Sequence, residues 1–371
     1  MRILLVRLRL IGDVVFTTPL IRAVRRRYPD AQITYVVEPS AVPIVQHNPH
    51  ITDLVVAPKS RGLRRLRDDL RLGRQLRARR FDLAIDLHGG PRGAWLTWAS
   101  AATTRIGYAI AGRSWMYTHI VPRSPDLAPR HSVMSQWDLL APLGVEPGTP
   151  ECDPVEMGED PAATARVDER LRNAGLTPNT TLVVMHVSAG NPFRRWPEEA
   201  FCEVITALAD ADPNRRIILT AGPSDADVVR RVIQEVHGRV RRPESVPSME
   251  EWDLAELRAL IARAAVYIGG DSGPVHVAST TRTPIVELLG PTLPERSHPW
   301  RDPQLRSALV DVGTLPCRPC NQRRCVPGDF RCLTGITPAR VIAAAEQMMK
   351  SGSEVIFRGQ SGASPDTVLE K

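Results

Sequence analysis

Four short stretches of this 371-residue chain hold side chains that could do chemistry. The first is the turn Leu8-Arg9-Leu10-Ile11-Gly12-Asp13, which follows the apolar run Arg2–Arg7. Gly12 permits a sharp turn after a strand, and Asp13 then stands at that strand's carboxyl end. A carboxylate there can act as a general base toward an attacking hydroxyl, or it can cap the helix that follows. The second is Val187–Pro197, where Ser188, Ala189 and Gly190 let backbone amides approach a ligand closely. Arg194 and Arg195 can fork onto phosphate oxygens, unless they simply point into solvent. The third is Tyr267–Ser279: Gly269-Gly270 end a strand, and Asp271-Ser272-Gly273-Pro274 open a helix with His276 in its first turn. Unpaired amides at such a start suit an anion such as a diphosphate, although Asp271 or Ser272 could serve only as a cap. The fourth is the cluster Cys317-x2-Cys320-x4-Cys325-x6-Cys332. Four thiolates can close a tetrahedral structural zinc site, and reduced thiols or local disulfides are the alternatives.

The elements that must position these residues alternate. Apolar runs at Arg2–Arg7, Gln32–Val37, Asp53–Val56 and Asp82–Leu87 read as strands. Helical spacing links Leu20, Ile21, Val24 and Tyr28, and an arginine-rich helix is expected over Leu63–Arg80. In that helix Leu63, Leu66 and Leu70 form a stripe that reads as core, with arginines to spare for phosphates of an anionic partner, a membrane surface or solvent. A Pro-, Gly- and acid-rich stretch, Leu143–Ala163, reads as a linker. Strands at Thr181–Val187, Arg216–Ala221, Val266–Gly269 and Pro284–Leu289 then alternate with helices at Pro197–Ala211, Asp225–His237 and Leu254–Ala264. Two successive strand–helix series predict two Rossmann-like α/β domains facing across a cleft, with ligands beyond the carboxyl ends of the strands. The expected division is residues 1–160, residues 161–350 and a disordered tail, residues 351–371. By position alone Gly12, His88 and Arg92 fall on the first domain's side of the cleft, and the turn at Gly222 falls where a nucleotide's base or ribose would lie.

The chain has a formal charge of +7, with 43% hydrophobic and 24% charged residues. That is a soluble globular composition with a bias toward anionic partners. No apolar run reaches the roughly 20 residues that span a bilayer, and the N-terminus lacks a small-residue cleavage site. The expected location is therefore cytoplasmic, with any membrane association peripheral. Neither a G-x-G-x-x-G after a first strand nor a G-x-x-x-x-G-K-[ST] occurs, so dinucleotide redox chemistry and P-loop hydrolysis lose support. A nucleic-acid binder would explain the arginines but not two anion sites in separate α/β units. A metal–sulfur redox protein would explain only the cysteines.

The opening RILLVRLRLIGDVVFTTPLIRAVRRRYPDAQITYVV, together with AGNPFRRWP, GGDSGPVHVAS, the following GPT and the late CRPC segment, resembles glycosyltransferase family 9, the heptosyltransferases of lipopolysaccharide core assembly. These motifs run in the family's order from Met1 to about Met349. The resemblance implies a GT-B fold, an N-terminal acceptor domain and a C-terminal domain holding ADP-heptose. It implies inversion at the anomeric carbon without a catalytic metal, and an anionic glycolipid acceptor at the inner face of the cytoplasmic membrane. Asp13 matches the family's proposed catalytic aspartate. Arg194 falls where a lysine usually meets the donor phosphates, and Asp271, Ser272, Gly273 and His276 fall on a D-[ST]-G-x-x-H donor motif. Ser188 and Gly190 lie in a loop that departs from the family's P-G-A-S, which leaves the exact nucleotide sugar open. An inactive nucleotide-sugar binder is the nearest alternative, and the retained Asp13 argues against it.

Overall fold

The computed structural model describes residues 1–125, 128–249 and 251–358. Its first sheet has six parallel strands in the order β3-β2-β1-β4-β5-β6: β1 (Arg2–Val6), β2 (Gln32–Val37), β3 (Asp53–Val56), β4 (Leu83–Asp86), β5 (Thr104–Tyr108) and β6 (His119–Val121). Its helices are α1 (Ile11–Val15), α2 (Thr18–Arg27), α3 (Val42–Val45), α4 (Gly62–Ala78), α5 (Pro91–Ala99) and α6 (Ser132–Trp137). The second sheet has five parallel strands in the order β11-β10-β9-β7-β8. These are β7 (Thr181–His186), β8 (Arg215–Thr220), β9 (Val266–Gly270), β10 (Ile285–Leu288) and β11 (Ser307–Val310). The helices of this half are α7 (Pro161–Asn173), α8 (Glu198–Ala211), α9 (Ala226–His237), α10 (Leu254–Ile261), α11 (Gly273–Ala278), α12 (Pro294–Ser297), α13 (Arg331–Thr334) and α14 (Pro338–Arg358). This is the expected pair of Rossmann-like units of the GT-B fold.

Strands covered on both faces need apolar residues at every position. Accordingly Ile3 and Leu5 of β1 feed one core cluster while Leu4 and Val6 feed another. In β7, Val183 and Met185 face one cluster and Leu182 and Val184 the other. Helix α2 buries Leu20, Ile21 and Val24 and turns Arg25, Arg26 and Arg27 toward its last turn, where cations suit the helix dipole. Short α1, which carries Asp13, is followed directly by α2, with Pro19 in its first turn.

The acid-rich connection is not a loose tether. Arg22 pairs with Glu156, Arg26 with Asp153, and Trp300 Nε1 donates to the Asp153 carbonyl at 2.8 Å. The reading of Leu63, Leu66 and Leu70 as core is overturned: they are 86%, 59% and 41% exposed. Helix α4 instead buries Leu72, Gly73 and Leu76, because Gly73 leaves room for the Trp95 ring, which a Cβ would meet at 2.7 Å. Of the expected tail, residues 351–358 continue α14, and residues 359–371 lie outside the described residues.

Candidate active site

Each sheet has one place where strand order reverses, and a crevice opens there beyond the carboxyl ends. In the first sheet it lies between β1 and β4; in the second, between β9 and β7. The segments that leave these four strands carry Asp13, His88, Arg194 and Asp271.

Asp13 lies in the first turn of α1, not at its N-cap. That position belongs to Leu10, and no side chain caps the helix, so the capping reading finds no hydrogen bond. The carboxylate is instead paired with Arg7, Nη2 to Oδ2 at 2.5 Å. The Arg7 side chain is 6% exposed and its Nη1 donates to the Leu87 carbonyl at 2.7 Å, so a fixed cation orients a carboxylate that itself remains 35% exposed.

Across the crevice, Arg194 ends a single 3-10 turn, Pro192–Arg194, opened by Asn191, whose side chain accepts from Phe193 N. Its Nη1 lies 3.0 Å from Asp271 Oδ2 and donates to the Asp271 carbonyl at 3.1 Å. Its Nε donates to Gln322 Oε1 at 2.8 Å. Ser188 joins two loops: its Oγ accepts from Gly222 N at 3.0 Å and meets His186 Nε2 at 3.2 Å. Gly190 has open space around the position a Cβ would take, and a Cβ on Gly222 would make only an ordinary contact, with Ser188 Oγ at 4.0 Å. Arg195 is held by Asp225 and the Ala189 carbonyl, away from the Arg194 partners. Ser272 is the N-cap residue of α11, with its Oγ turned back to the Gly270 carbonyl at 3.3 Å.

The two halves meet at glycine. A Cβ on Gly12 would stand 2.4 Å from His276 Cδ2, and one on Gly273 would stand 2.9 Å from Ile11 Cγ2. The His276 ring also packs on Phe16 at a centroid distance of 4.3 Å. Burial pushes His276 down to about 4, against the pull of the Asp271 and Asp13 charges. The imidazole is therefore neutral near pH 7, with Nε2 3.8 Å from Asp271 Oδ1 and Nδ1 without a partner.

His88 opens a cavity of about 520 Å³ with Gly89, Gly90, Ile110, Arg113 and Arg123. The loop is shaped by Asp86, which is fully buried and accepts from His88 N, Gly89 N and Tyr117 Oη at 3.0, 2.9 and 2.7 Å. Arg92, grouped with His88 on sequence position, is not available to this cavity. Its guanidinium is spent on Glu38 at 2.9 Å, Asp69 at 2.7 Å and the Pro58 carbonyl, with only 8% of the side chain exposed. It is a clamp between loops.

Cys317, Cys320, Cys325 and Cys332 all carry free thiols and line one cavity of about 520 Å³, shared with Phe193 and Phe330. Among the described residues no three His, Cys, Asp or Glu side chains converge on a common point suited to a metal. The four thiols as placed do not fit a closed zinc site.

Three residues of the site were not singled out from sequence. Arg7 looked like the end of a strand, Asp86 like one more strand residue, and Gln322 lies 128 positions from its partner Arg194. An acid ending an apolar run, as Asp86 does, was the available signal.

Residues 69–329 match the family described as glycosyltransferase family 9 (heptosyltransferase). The chain is 29% identical over 353 residues to lipopolysaccharide heptosyltransferase 3 of Escherichia coli, covering 93% of this chain and 98% of the relative. Its fold is similar to a family 9 glycosyl transferase from Veillonella parvula, with a TM-score of 0.80 at 23% identity over 94% of this chain and 97% of that one. It is also similar to the E. coli ADP-heptose lps heptosyltransferase II, with a TM-score of 0.74 at 18% identity over 95% and 100% of the two chains.

Proposed function

The chain belongs to glycosyltransferase family 9, and from that premise we propose that it moves a heptose from ADP-heptose to a sugar of a lipopolysaccharide core. The observation that carries this reading is the closure of Gly12 on His276, which puts the Arg7–Asp13 pair opposite Arg194 and Asp271. Residues 1–160 would hold the acceptor and residues 161–350 the donor.

In this reading the acceptor hydroxyl attacks the anomeric carbon as the bond from that carbon to the diphosphate oxygen breaks. Asp13 takes the hydroxyl proton, and a single displacement inverts the anomeric centre. The charge that grows on ADP is met by Arg194 and by the amides of the turn that leads into α11. Helix α11 has only six residues, so its contribution is that of its first amides. The mechanism assigns no step to a divalent ion. Ser188 and Gly222 tie together the two loops flanking β7 and β8, where the nucleoside would lie, and Gly190 adds an open approach. His276, neutral, would offer a ring nitrogen to the donor. On the acceptor side, His88, Arg113 and Arg123 line a cavity that suits a phosphorylated or carboxylated sugar.

No helix among the described residues is long and apolar enough to cross a membrane. Association with the anionic cytoplasmic face of the inner membrane fits α4, which displays Leu63, Leu66 and Leu70 among Arg64, Arg65, Arg67 and Arg71.

The test is turnover of ADP-heptose with purified core glycolipid, followed by ADP release and by NMR of the new anomeric centre. ADP binding without any transfer would replace the enzyme by a nucleotide-sugar binding protein. Tighter binding of a GDP-sugar than of ADP-heptose would change the donor.

A further inference from the structure

The cysteine-rich segment reaches into the donor side at one residue. The Oε1 of Gln322 accepts from Asn191 Nδ2 at 2.7 Å and from Arg194 Nε at 2.8 Å. Its Nε2 faces Thr292 Oγ1 at 3.4 Å, and its backbone N–H is directed at Cys320 Sγ at 3.3 Å. Gln322 thereby joins three loops: the one after β7, the one after β10 and the cysteine segment. The segment is tied down beside it by Arg318, which pairs with Asp311 at 2.6 Å and donates to the Thr292 carbonyl at 2.6 Å. Gln322 holds this place with φ at +57°, a left-handed backbone that a non-glycine residue rarely adopts and that recurs where a neighbouring structure demands it.

A guanidinium has a planar fork, and only part of it can face a ligand at once. Asp271 engages Nη1 of Arg194, and Gln322 engages Nε. Held on those two edges, the plane of the fork is fixed and its remaining N–H groups keep one direction. A lone side chain of this length would otherwise sample many rotamers and lose entropy on binding an anion.

We infer that Gln322 is a positioning residue for the nucleoside diphosphate: it sets the plane of Arg194, and the cysteine segment exists in part to carry it there. This rests on the donor reading above, in which Arg194 meets the diphosphate. The two can fail separately. Gln322 touches Arg194 and does not need to touch the ligand, so its effect must vanish when Arg194 is gone.

ADP is titrated calorimetrically into the wild type, Gln322→Met, Arg194→Ala and the double variant, with thermal unfolding of each. Gln322→Met keeps the volume and removes the oxygen; Gln322→Ala serves in its place if that variant does not fold. The expected result is an affinity loss of about tenfold in Gln322→Met, the size of one charge-assisted hydrogen bond. Arg194→Ala should lose more, and the double variant should bind no worse than Arg194→Ala. Gln322→Glu, which retains an oxygen for Asn191 and Arg194, should recover part of the loss. In turnover the defect should fall on KM for ADP-heptose, with KM for the acceptor unchanged. Wild-type affinity in Gln322→Met, or an undiminished further loss in the double variant, overturns the inference while leaving the donor reading intact. Unchanged affinity in Arg194→Ala overturns both.

Discussion

Arg7 reaches Asp13 from beneath: its Nη2 stands 2.5 Å from Oδ2, while its Nη1 is committed to the Leu87 carbonyl at the end of the neighbouring strand. The carboxylate is thus tied to β1 and β4 together, across the point where strand order reverses. In the proposed role as base, Asp13 gains direction from a buried partner that is itself held by a second contact.

Asp13→Asn keeps the shape of the side chain and removes its basicity. Transfer should fall about 100- to 10,000-fold, the usual contribution of general-base catalysis, with ADP affinity close to wild type. Parallel kinetics and calorimetry check this; loss of ADP binding would show that Asp13 maintains the crevice instead of the chemistry.

Arg194→Ala removes the cation proposed to meet the donor diphosphate and leaves Asp271, 2% exposed, without its ion pair. We expect KM for ADP-heptose to rise roughly 10- to 100-fold, corresponding to one charge-assisted contact of about 1.5–3 kcal/mol. Arg194→Lys should fall between, because an ammonium cannot serve Asp271, Gln322 and a phosphate with one fork.

His186 and His276 are both buried, and burial pushes each down to about 4. An unfolded imidazole titrates near 6.5, so between those values the unfolded chain binds more protons than the folded one. Stability should therefore decline as pH falls from about 6.5 toward 4 and level off below, each histidine contributing on the order of 3 kcal/mol at most. Urea unfolding across that range should give a shallower slope for His276→Gln than for the wild type; equal slopes would falsify the assignment for that ring.

Arg92→Met tests the corrected role of that residue. Leaving buried Glu38 without its cation, and half-buried Asp69 with only Arg65, should cost roughly 3 kcal/mol of folding stability. Acceptor KM measured below the lowered melting temperature should not change. An acceptor defect in a fully stable variant would return Arg92 to the acceptor side.

The thiols differ in reach. Cys202 is buried and its thiol is pushed up to about 11 by burial, whereas Cys317, Cys320 and Cys325 line an open cavity. Brief alkylation of the native protein, read by mass spectrometry, should mark Cys317, Cys320 and Cys325 and spare Cys202. Protection of the cluster that a chelator or a reductant abolishes would restore the metal or the disulfide reading.

The parallel strands were legible because burial on both faces leaves continuous apolar runs, as in Ile3–Val6 and Leu182–Met185. The residues 91–137 were not, since β5 contains Arg105 and Gly107 and β6 has only three residues. Gly107 is there to admit the Tyr117 ring, which a Cβ would meet at 2.3 Å, a reason invisible in sequence. Asp13 and the loop around Asp271 could be found because glycines and a proline mark their turns. Their partners could not, since Arg7, Asp86 and Gln322 owe their roles to contacts made by the fold. The leucines of α4 misled because spacing reports a face of a helix but not what covers it, and Arg92 because position in the chain does not report which partners claim its guanidinium.

The glycine contact between the halves sets a gauge. Gly12 and Gly273 each present bare backbone to the other half, so the separation of the two sides of the crevice is set by main-chain thickness and by one flat imidazole. A single methyl group at either position is a shim. It would hold the jaws apart by an ångström or so, the scale on which a misplaced reacting group loses about a hundredfold in rate. Reach across the crevice is thus specified by two absent side chains as much as by the charged ones that line it.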